Sequence, residues 1–284
     1  MTGKELCPIC GGPLAIKYAG LPECGRCGLA FRAGRYSGEP AYEPGLEDAI
    51  YSGAKTVLFR GALDFLGAAA PRGGRLLDIG CAGGELLKAA AARGWLAEGI
   101  ELDPALAAKA LALGFKVYPR PVEEAGLETG AYDAVTVFEV FCVMDKPAAA
   151  AAEIYRLLKP GGIVYIRDFN AAFHLPLYRL ELAGFFGFLG ASPSVLHNFN
   201  FRAGTLRLML ERAGLRDIVI RNSRPTEGDP YGTGGRLGVF LAVALKILYY
   251  TLAQALWFVT FGRVCAGSSL IVTARKWPSD GHSP

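Results

Sequence analysis

The sequence has little net charge and no basic cluster. Its 30 Lys and Arg residues stand against 26 Asp and Glu residues in 284 positions, a net charge of +4, and the basic side chains are scattered. A surface that binds nucleic-acid phosphates needs clustered positive charge, so we expect no nucleic-acid partner. The opening MTGKELCPIC also lacks the apolar run of a secretion signal, and we therefore expect a cytoplasmic protein.

The spacing G-x-G-x-x-G of dinucleotide-binding turns is absent from the turn that follows the first predicted buried strand. That turn reads DIGCAGG (78–84), in which Gly80, Ala82 and Gly84 alternate and an acidic residue comes first. The alternation argues against a pyrophosphate ligand, so a dehydrogenase or reductase is disfavoured.

Strand-like and helix-like segments alternate from about residue 75. RLLDIG (75–80) and YDAVTVFEV (132–140) are apolar runs typical of buried parallel strands, whereas ELLKAAAARG (85–94) is rich in helix formers. Such alternation implies right-handed crossovers, so we predict an α/β, doubly wound, mostly parallel sheet. The aromatic-rich stretch 170–203 is predicted to be irregular.

Four cysteines form two close pairs near the N-terminus, Cys7 with Cys10 and Cys24 with Cys27. Two C-x-x-C pairs at this separation let a hairpin bring four thiolates around one tetrahedral Zn²⁺. Four cysteine ligands leave no open position for water, so the predicted metal is structural. We therefore expect a zinc ribbon over 1–33, a linker over 34–44 and a larger domain over 45–284.

A carboxylate stands at the end of the second predicted strand. Glu101, in GIELDP, follows the glycine turn by about twenty residues, where a carboxylate can accept hydrogen bonds from both ribose hydroxyls of a nucleoside. The glycine turn and Glu101 together predict a nucleoside-containing cofactor.

With these residues in place, LLDIGCAGGELL, GIELDP, YDAVTVFEV and LLKPGGIVYI resemble class I S-adenosylmethionine-dependent methyltransferases of the ubiquinone-biosynthesis type. The resemblance covers about 75–168. It implies S-adenosylmethionine as cofactor and a Rossmann-like sheet of seven strands with an antiparallel last strand. The cofactor contacts that it implies are Tyr51, Asp78, Gly80, Cys81, Ala82, Gly83, Glu101, Leu102, Val122, Glu123, Phe138 and Glu139.

Two positions qualify the resemblance. Many relatives carry a His in the segment that here reads EVFCVMDKP, where Val143 stands, so any role of that His is absent. Tyr51 matches an aromatic that closes over the cofactor carboxylate, but a plain core position explains it equally well.

Polar residues after the fifth predicted strand are the candidates for the acceptor side. A hydroxyl acceptor profits from a base, and Asp168, Asn170, His174 and His197 follow that strand. HNFNFRAGTLRLMLERAGL resembles a stretch in which a His precedes an aromatic pair and a helix, which singles out His197. We predict His197 as the base and Asp168 as second choice; an ordinary hydrogen-bonded His is the alternative.

The segment LGVFLAVALKILYYTLAQALWFV (237–259) is long enough to cross a bilayer. Because it lies between two predicted strands of one sheet, we expect an apolar helical insertion over 236–263 that does not cross. A helix on the inner face of the membrane, with Tyr249, Tyr250 and Trp257 near the headgroups, and a buried helix or dimer contact both remain open.

The function that these observations predict is methyl transfer to oxygen. The second apolar stretch, 173–190, and the helical insertion favour a hydrophobic or lipid-linked acceptor, such as a quinone precursor or a polyprenyl-linked sugar, with peripheral membrane contact. The alternative is a non-catalytic scaffold of the same fold that recruits partners through the zinc ribbon and the apolar helix.

Overall fold

The computed structural model describes residues 6–18, 21–32, 55–70, 73–185, 194–226 and 236–278. The strands of this part of the chain are β1 (Leu14–Tyr18), β2 (Leu21–Cys24), β3 (Ala30–Phe31), β4 (Arg75–Ile79), β5 (Leu96–Ile100), β6 (Lys116–Tyr118), β7 (Tyr132–Phe138), β8 (Leu158–Phe169), β9 (Phe199–Asn200), β10 (Arg216–Asn222) and β11 (Ser269–Arg275). Its helices are α1 (Thr56–Ala69), α2 (Glu85–Ala91), α3 (Pro104–Ala112), α4 (Pro147–Leu157), α5 (Ala171–Leu182), α6 (Ala203–Arg212) and α7 (Arg236–Val259).

Seven strands form the main sheet in the order β10-β11-β8-β7-β4-β5-β6. β4 pairs in parallel with both β5 and β7, while β11 is antiparallel to both β8 and β10. The predicted Rossmann-like sheet with an antiparallel last strand is therefore confirmed. The strand order reverses direction between β4 and β7, and ligands of such sheets bind outside the carboxyl ends of the strands at this point.

Helices cover both faces of this sheet. On one face, Leu63 and Leu66 of α1 pack in a cluster with Leu76 of β4. On the other, Ile154 and Leu157 of α4 belong to the cluster that contains the buried side chains of β7. The strands are apolar on both sides because both of their faces are buried, as expected for a parallel sheet.

A second sheet has the order β1-β2-β3-β9, so its fourth strand comes from the second half of the chain. The N-terminal segment also shares a core with the main domain, since Ile9 and Leu29 lie in one buried cluster with Met209 and Leu210 of α6. The boundaries at 33 and 44 remain predictions, and the linker lies outside the described residues.

The irregular conformation predicted for 170–203 is wrong at its start, where α5 forms. Asn170 caps this helix, because its Oδ1 accepts a hydrogen bond from the Ala172 amide at 3.0 Å. Pro176 lies inside the helix, and the buried side chains Ala171, His174 and Leu175 hold the helix onto the core.

The apolar insertion forms a single helix, α7. Among the residues that the structure describes, no helix is both long and apolar enough to cross a bilayer. Tyr249 faces the protein, with its hydroxyl 2.9 Å from Ser268 Oγ, and the Tyr250 hydroxyl accepts from Gln254. Both hydroxyls thus have partners within the protein, and the position of this helix on a membrane stays a prediction.

Candidate active site

A cavity of about 420 Å³ opens at the carboxyl ends of β4, β5 and β7, the edge where the strand order reverses. Its volume lies within the range of small-molecule sites. Nine of the residues singled out from the sequence line it: Gly80, Ala82, Glu101, Leu102, Val122, Glu123, Phe138, Glu139 and His197.

The glycine turn between β4 and α2 forms the floor of this cavity. The amides of Gly80 and Cys81 both donate to the Ile100 carbonyl, at 2.8 and 2.9 Å, which fixes the turn against the end of β5. Gly80 has a φ of +77°, and a Cβ at this position would lie 2.3 Å from Val140 Cγ2. Glycine is required here because both the backbone conformation and the close approach of Val140 exclude a side chain.

Glu101 connects the glycine turn to the end of β5. Its Oε2 accepts from the Ala82 amide and its Oε1 from the Asp103 amide, both at 2.9 Å. Burial raises the pKa of Glu101, and the hydrogen bonds from the Asp103 and Ala82 amides oppose that rise. The carboxylate thus lines the cavity as an acceptor group oriented by two backbone amides.

Three predicted cofactor residues lie beneath the cavity lining. Asp78 is buried and accepts a 2.6 Å hydrogen bond from Thr136 Oγ1, and burial raises the pKa of Asp78 to about 7. The Cys81 thiol packs onto Gly99, where an added Cβ would lie 2.4 Å from Cys81 Sγ. Gly83 is buried at the turn without lining the cavity. Tyr51 lies outside the described residues.

A buried ion cluster centred on Glu139 was not predicted from the sequence. The Glu139 carboxylate pairs with Lys55 Nζ at 2.6 Å through one oxygen and with the Arg167 guanidinium through the other. Arg167 also donates from Nε to Ser223 Oγ at 2.8 Å. A charged residue inside the apolar strand IVYIRDF was the available signal, since a buried cation requires an anionic partner. The cluster holds Glu139 at the cavity wall.

The loop after β7 supplies further wall residues that were not among the predicted cofactor contacts: Val140, Val143, Met144, Asp145 and Lys146. In this part of the wall, the apolar side chains of Val143 and Met144 are followed directly by the charged side chains of Asp145 and Lys146.

His197 lies in the wall of the same cavity as Glu101. Its Nε2 is buried and has no hydrogen-bond partner among the described residues, and its ring lies 4.8 Å from that of Phe169. Burial, together with the positive charges of Arg32 and Lys55, lowers the pKa of His197 to about 4. The imidazole is therefore neutral at pH 7, and the same burial opposes its protonation.

Asp168, Asn170 and His174 do not line the cavity. Asp168 is fully buried, and its two oxygens accept from the amides of Phe169 and Cys142 at 2.7 and 3.2 Å. His174 lies with Nε2 3.0 Å from the Ser268 carbonyl, and its Nδ1 accepts from the Val195 amide. In this structure these side chains hold backbone segments in place.

The four cysteines of the N-terminal pairs meet at one point, with all their sulfur atoms within 4.8 Å of one another. Cys7 Sγ lies 3.5 Å from Cys27 Sγ, and Cys10 Sγ lies 3.3 Å from Cys24 Sγ. Four thiolates about 2.3 Å from a tetrahedral Zn²⁺ would be nearly 4 Å apart, so the cluster fits this ion after a small expansion. Gly12 is required beside it, because a Cβ there would lie 3.1 Å from two of the sulfurs.

Comparison with known proteins agrees with this architecture. Residues 54–219, more than half of the chain, match the family model described as a methyltransferase domain. A ubiquinone biosynthesis O-methyltransferase of Xanthomonas oryzae pv. oryzae is 35% identical over 119 residues, which cover 38% of this chain and 50% of that protein. One of Burkholderia pseudomallei is 31% identical over 158 residues, covering 52% of this chain and 67% of the relative. The chain thus spans about half the length of the first of these relatives.

Two solved structures share the fold. An S-adenosylmethionine-dependent methyltransferase from Archaeoglobus fulgidus has a TM-score of 0.54 at 17% identity and covers 81% of this chain and 98% of its own. A second such methyltransferase, from Mesorhizobium loti, has a TM-score of 0.51 at 17% identity. The match covers 81% of this chain and 100% of the other. The two structures and the sheet order show the shared fold, and the family match over more than half of the chain shows that the chain belongs to the class I S-adenosylmethionine-dependent methyltransferases.

Proposed function

We propose that this methyltransferase transfers the methyl group of S-adenosylmethionine to an oxygen of a hydrophobic or lipid-linked acceptor. A quinone precursor and a polyprenyl-linked sugar are the two acceptor classes that we favour. The observation that carries the proposal is the presence of His197, whose buried Nε2 has no hydrogen-bond partner in the described part of the chain, in the cavity that Glu101 and the glycine turn also line.

Glu101 is the group that we assign to the ribose of the cofactor. It lines the cavity as a carboxylate, and carboxylates at the ends of such strands accept hydrogen bonds from ribose hydroxyls. Leu102 and Val122 offer apolar contact to the adenine, and the backbone of Gly80 and Ala82 faces the methionine part. Asp78 acts on this site through the strand that it supports, because it does not reach the cavity lining.

S-adenosylmethionine supplies a methyl group bonded to a positively charged sulfur. The acceptor oxygen forms the new bond to the methyl carbon as the carbon–sulfur bond breaks, and the bonding electron pair stays on sulfur. His197 Nε2 takes the proton of the acceptor hydroxyl, and holding the two substrates in line supplies most of the rate enhancement. Asp168 is not assigned this role, because it is fully buried and does not line the cavity.

A hydrophobic acceptor is favoured by the aromatic contacts that lead away from His197. Phe169 lies beside the rings of both His197 and His174, and Phe173 lies 5.1 Å from both His174 and Tyr249 of α7. This aromatic row connects the cavity with the helix whose outward side carries Leu245, Leu248, Leu252 and Val259 in exposed positions. An acceptor with a lipid tail would find apolar contact from the cavity to this surface, and we propose that α7 rests on a membrane.

We also propose that the four cysteines bind one structural Zn²⁺. Amides of the loops point at the sulfurs, with Gly12 donating to Cys10 Sγ at 3.3 Å and Arg26 donating to Cys24 Sγ at 3.4 Å. Although burial alone would raise it, the hydrogen bonds from Cys27, Cys10 and Arg26 lower the pKa of Cys24 to about 7. Burial raises the pKa of Cys7 and Cys27 in the same cluster, so binding of a cation is what would keep all four side chains as thiolates.

The test is transfer of isotope-labelled methyl to a panel of catechol and phenol quinone precursors, with and without a prenyl chain, and to polyprenyl-linked sugars. We expect transfer to a hydroxyl of one class, and a His197→Gln variant that loses at least tenfold in kcat while binding S-adenosylhomocysteine normally. Arg207→Gln, an exposed change on α6, serves as the control. Cofactor binding without transfer to any acceptor would favour the scaffold role, and an unchanged kcat in His197→Gln would remove the base from the proposal.

A further inference from the structure

Asn200 connects the cysteine-rich sheet to the wall of the methyltransferase cavity. Its Oδ1 accepts from the His197 amide at 3.0 Å, and its Nδ2 donates to the His197 carbonyl at 2.9 Å. The same Nδ2 lies 3.3 Å from the Ala30 carbonyl of β3. One buried side chain therefore holds the backbone of His197 on both sides and also contacts the sheet that the cysteines organise.

The segment around His197 is enclosed between that sheet and the loop after β7. Ala30 and Phe31 of β3 pair with Asn200 and Phe199 of β9, and the Arg32 amide donates to the Asn198 carbonyl at 3.0 Å. On the other side, the Phe199 amide donates to the Cys142 carbonyl at 2.9 Å. The conformation of the segment thus depends on strand pairing with residues only a few positions beyond the last cysteine.

The cysteine cluster is fixed to α6, the helix that follows this segment. Arg212 donates to the carbonyls of Ile9 and Cys10, at 2.6 and 3.3 Å, and Thr205 Oγ1 donates to the Cys27 carbonyl at 2.6 Å. These contacts join the backbone of both C-x-x-C loops to the methyltransferase domain. A metal ion that orders the loops would also order β3.

We propose that Asn200 is a positioning residue through which the metal-bound cysteine cluster fixes His197 in the acceptor side of the cavity. The cluster then does more than stabilise its own segment: metal occupancy governs the acceptor half of the site and leaves the cofactor half, built on β4 and β5, intact. The inference rests on the proposed role of His197 and on the proposed zinc site.

Nuclear magnetic resonance of the histidines measures the position of His197 without any substrate. The chain has three His residues, so a His197→Gln variant identifies its signal. In the zinc-loaded protein we expect the imidazole of His197 to stay unprotonated down to a pH near 4. After removal of zinc with a chelator, and in Asn200→Ala, we expect it to titrate closer to pH 6.5, with at least tenfold faster amide exchange at His197 and Asn198.

Cofactor binding is measured in the same samples by titration with S-adenosylhomocysteine, and we expect its Kd to change less than twofold. Removing zinc from Asn200→Ala should shift the His197 titration no further, because both changes interrupt one connection. Asn198→Ala is the matched control, since within the described residues the one hydrogen bond of the Asn198 side chain is a long one to the Val143 carbonyl, at 3.5 Å. Arg212→Met loosens the cluster while leaving Asn200 in place and should reproduce the effect of zinc removal.

An unchanged His197 titration after zinc removal and in Arg212→Met would overturn the inference, and so would additive effects of zinc removal and Asn200→Ala. Neither measurement depends on methyl transfer. If the zinc-loaded protein does not bind S-adenosylhomocysteine, the proposed cofactor site is wrong. The His197 titration still tests whether the metal site is coupled to His197.

Discussion

The Glu101 carboxylate and the Ala82 amide lie 2.9 Å apart and join the end of β5 to the turn after β4. Ala82 has a φ of +46°, a conformation that few residues other than glycine adopt, and this hydrogen bond helps to hold it there. This hydrogen bond therefore fixes the turn that lines the cofactor side of the cavity.

Glu101→Gln keeps an acceptor oxygen and removes the negative charge. We expect the affinity for S-adenosylhomocysteine to fall roughly 10- to 100-fold, because a hydrogen bond to a charged group contributes about 1.5 to 3 kcal/mol. Isothermal titration calorimetry measures the loss, and Glu128→Gln, at an exposed position, is the control. Equal affinities in the two variants would contradict the assignment of Glu101 to the cofactor.

Gly80→Ala is expected to destabilise the protein more than the same change at a glycine with free space. Gly94 also has a positive φ, +86°, but no described atom lies within 4 Å of the Cβ that would be added there. Both variants incur backbone strain of about 1 kcal/mol, and Gly80→Ala alone adds a clash with Val140 that costs a further ~1–3 kcal/mol. Urea unfolding measures the difference in stability between the two variants. Adding Val140→Ala to Gly80→Ala should restore the stability that the clash removes but not the stability that the backbone strain removes.

The pH dependence of stability should carry a contribution from His197. In the unfolded chain its imidazole binds a proton below about pH 6.5, whereas in the folded protein it does so only below about pH 4. The unfolded state therefore binds more protons between these values, and stability falls as the pH is lowered through this window. We expect His197→Gln to lose less free energy of unfolding than wild type between pH 7 and pH 5, by on the order of 1 kcal/mol.

Between pH 7 and pH 8.5 the His197 imidazole is neutral in both states, so wild type and His197→Gln should change in parallel there. Urea unfolding at these pH values makes the comparison. Parallel curves down to pH 5 would show that the imidazole is not held in its neutral form by burial.

The exposed side of α7 should bind vesicles of phosphatidylcholine and phosphatidylglycerol. Leu248 and Leu252 are 57% and 62% exposed, and replacing both with Asp should lower the partition to vesicles at least tenfold in a sedimentation assay. Leu111 and Leu113, at the end of α3 beside the opposite edge of the main sheet, are 52% and 51% exposed. The double Asp variant at these positions is therefore a matched control. If the two double variants bind vesicles equally well, α7 has no part in membrane contact.

Cobalt replacement should report the proposed ligands of the metal site. Co²⁺ bound by four thiolates in a tetrahedron gives intense absorption from thiolate-to-metal charge transfer, and we expect one equivalent to saturate it. Cys24→Ser should weaken this absorption, while Cys265→Ser, a cysteine outside the cluster, should leave it unchanged. Equal spectra in the two variants would exclude Cys24 as a ligand.

The strand-turn-helix units were predictable from the sequence because their determinants are local. Predicted RLLDIG (75–80) became β4 and predicted ELLKAAAARG (85–94) became α2, with ends shifted by a few residues. Apolar runs buried on both faces and a glycine turn between strand and helix leave few alternatives. The position of Glu101 at the cavity follows from the same pattern, since it ends a parallel strand beside the turn.

Contacts between distant parts of the chain were not predictable in this way. Nothing local in NFNF (198–201) indicates that two of its residues complete a sheet begun at Leu14, because a two-residue strand has no periodicity of its own. The Glu139 cluster draws Lys55 and Arg167 from separate elements, and Asp168 resembled a base only because its backbone partners are unknown at the level of sequence. Their roles depend on tertiary contacts.

The pairing of β3 with β9 also has a consequence for the order of events during synthesis on the ribosome. Ala30 and Asn200, joined across these strands, are 170 positions apart in the chain. At cellular rates of translation, roughly 10 to 30 seconds separate the emergence of the two residues. All four cysteines are available to a metal throughout that interval, while the edge of β3 awaits its partner. Early metal capture would keep this open edge ordered and its thiols protected until the strand that covers it has been made.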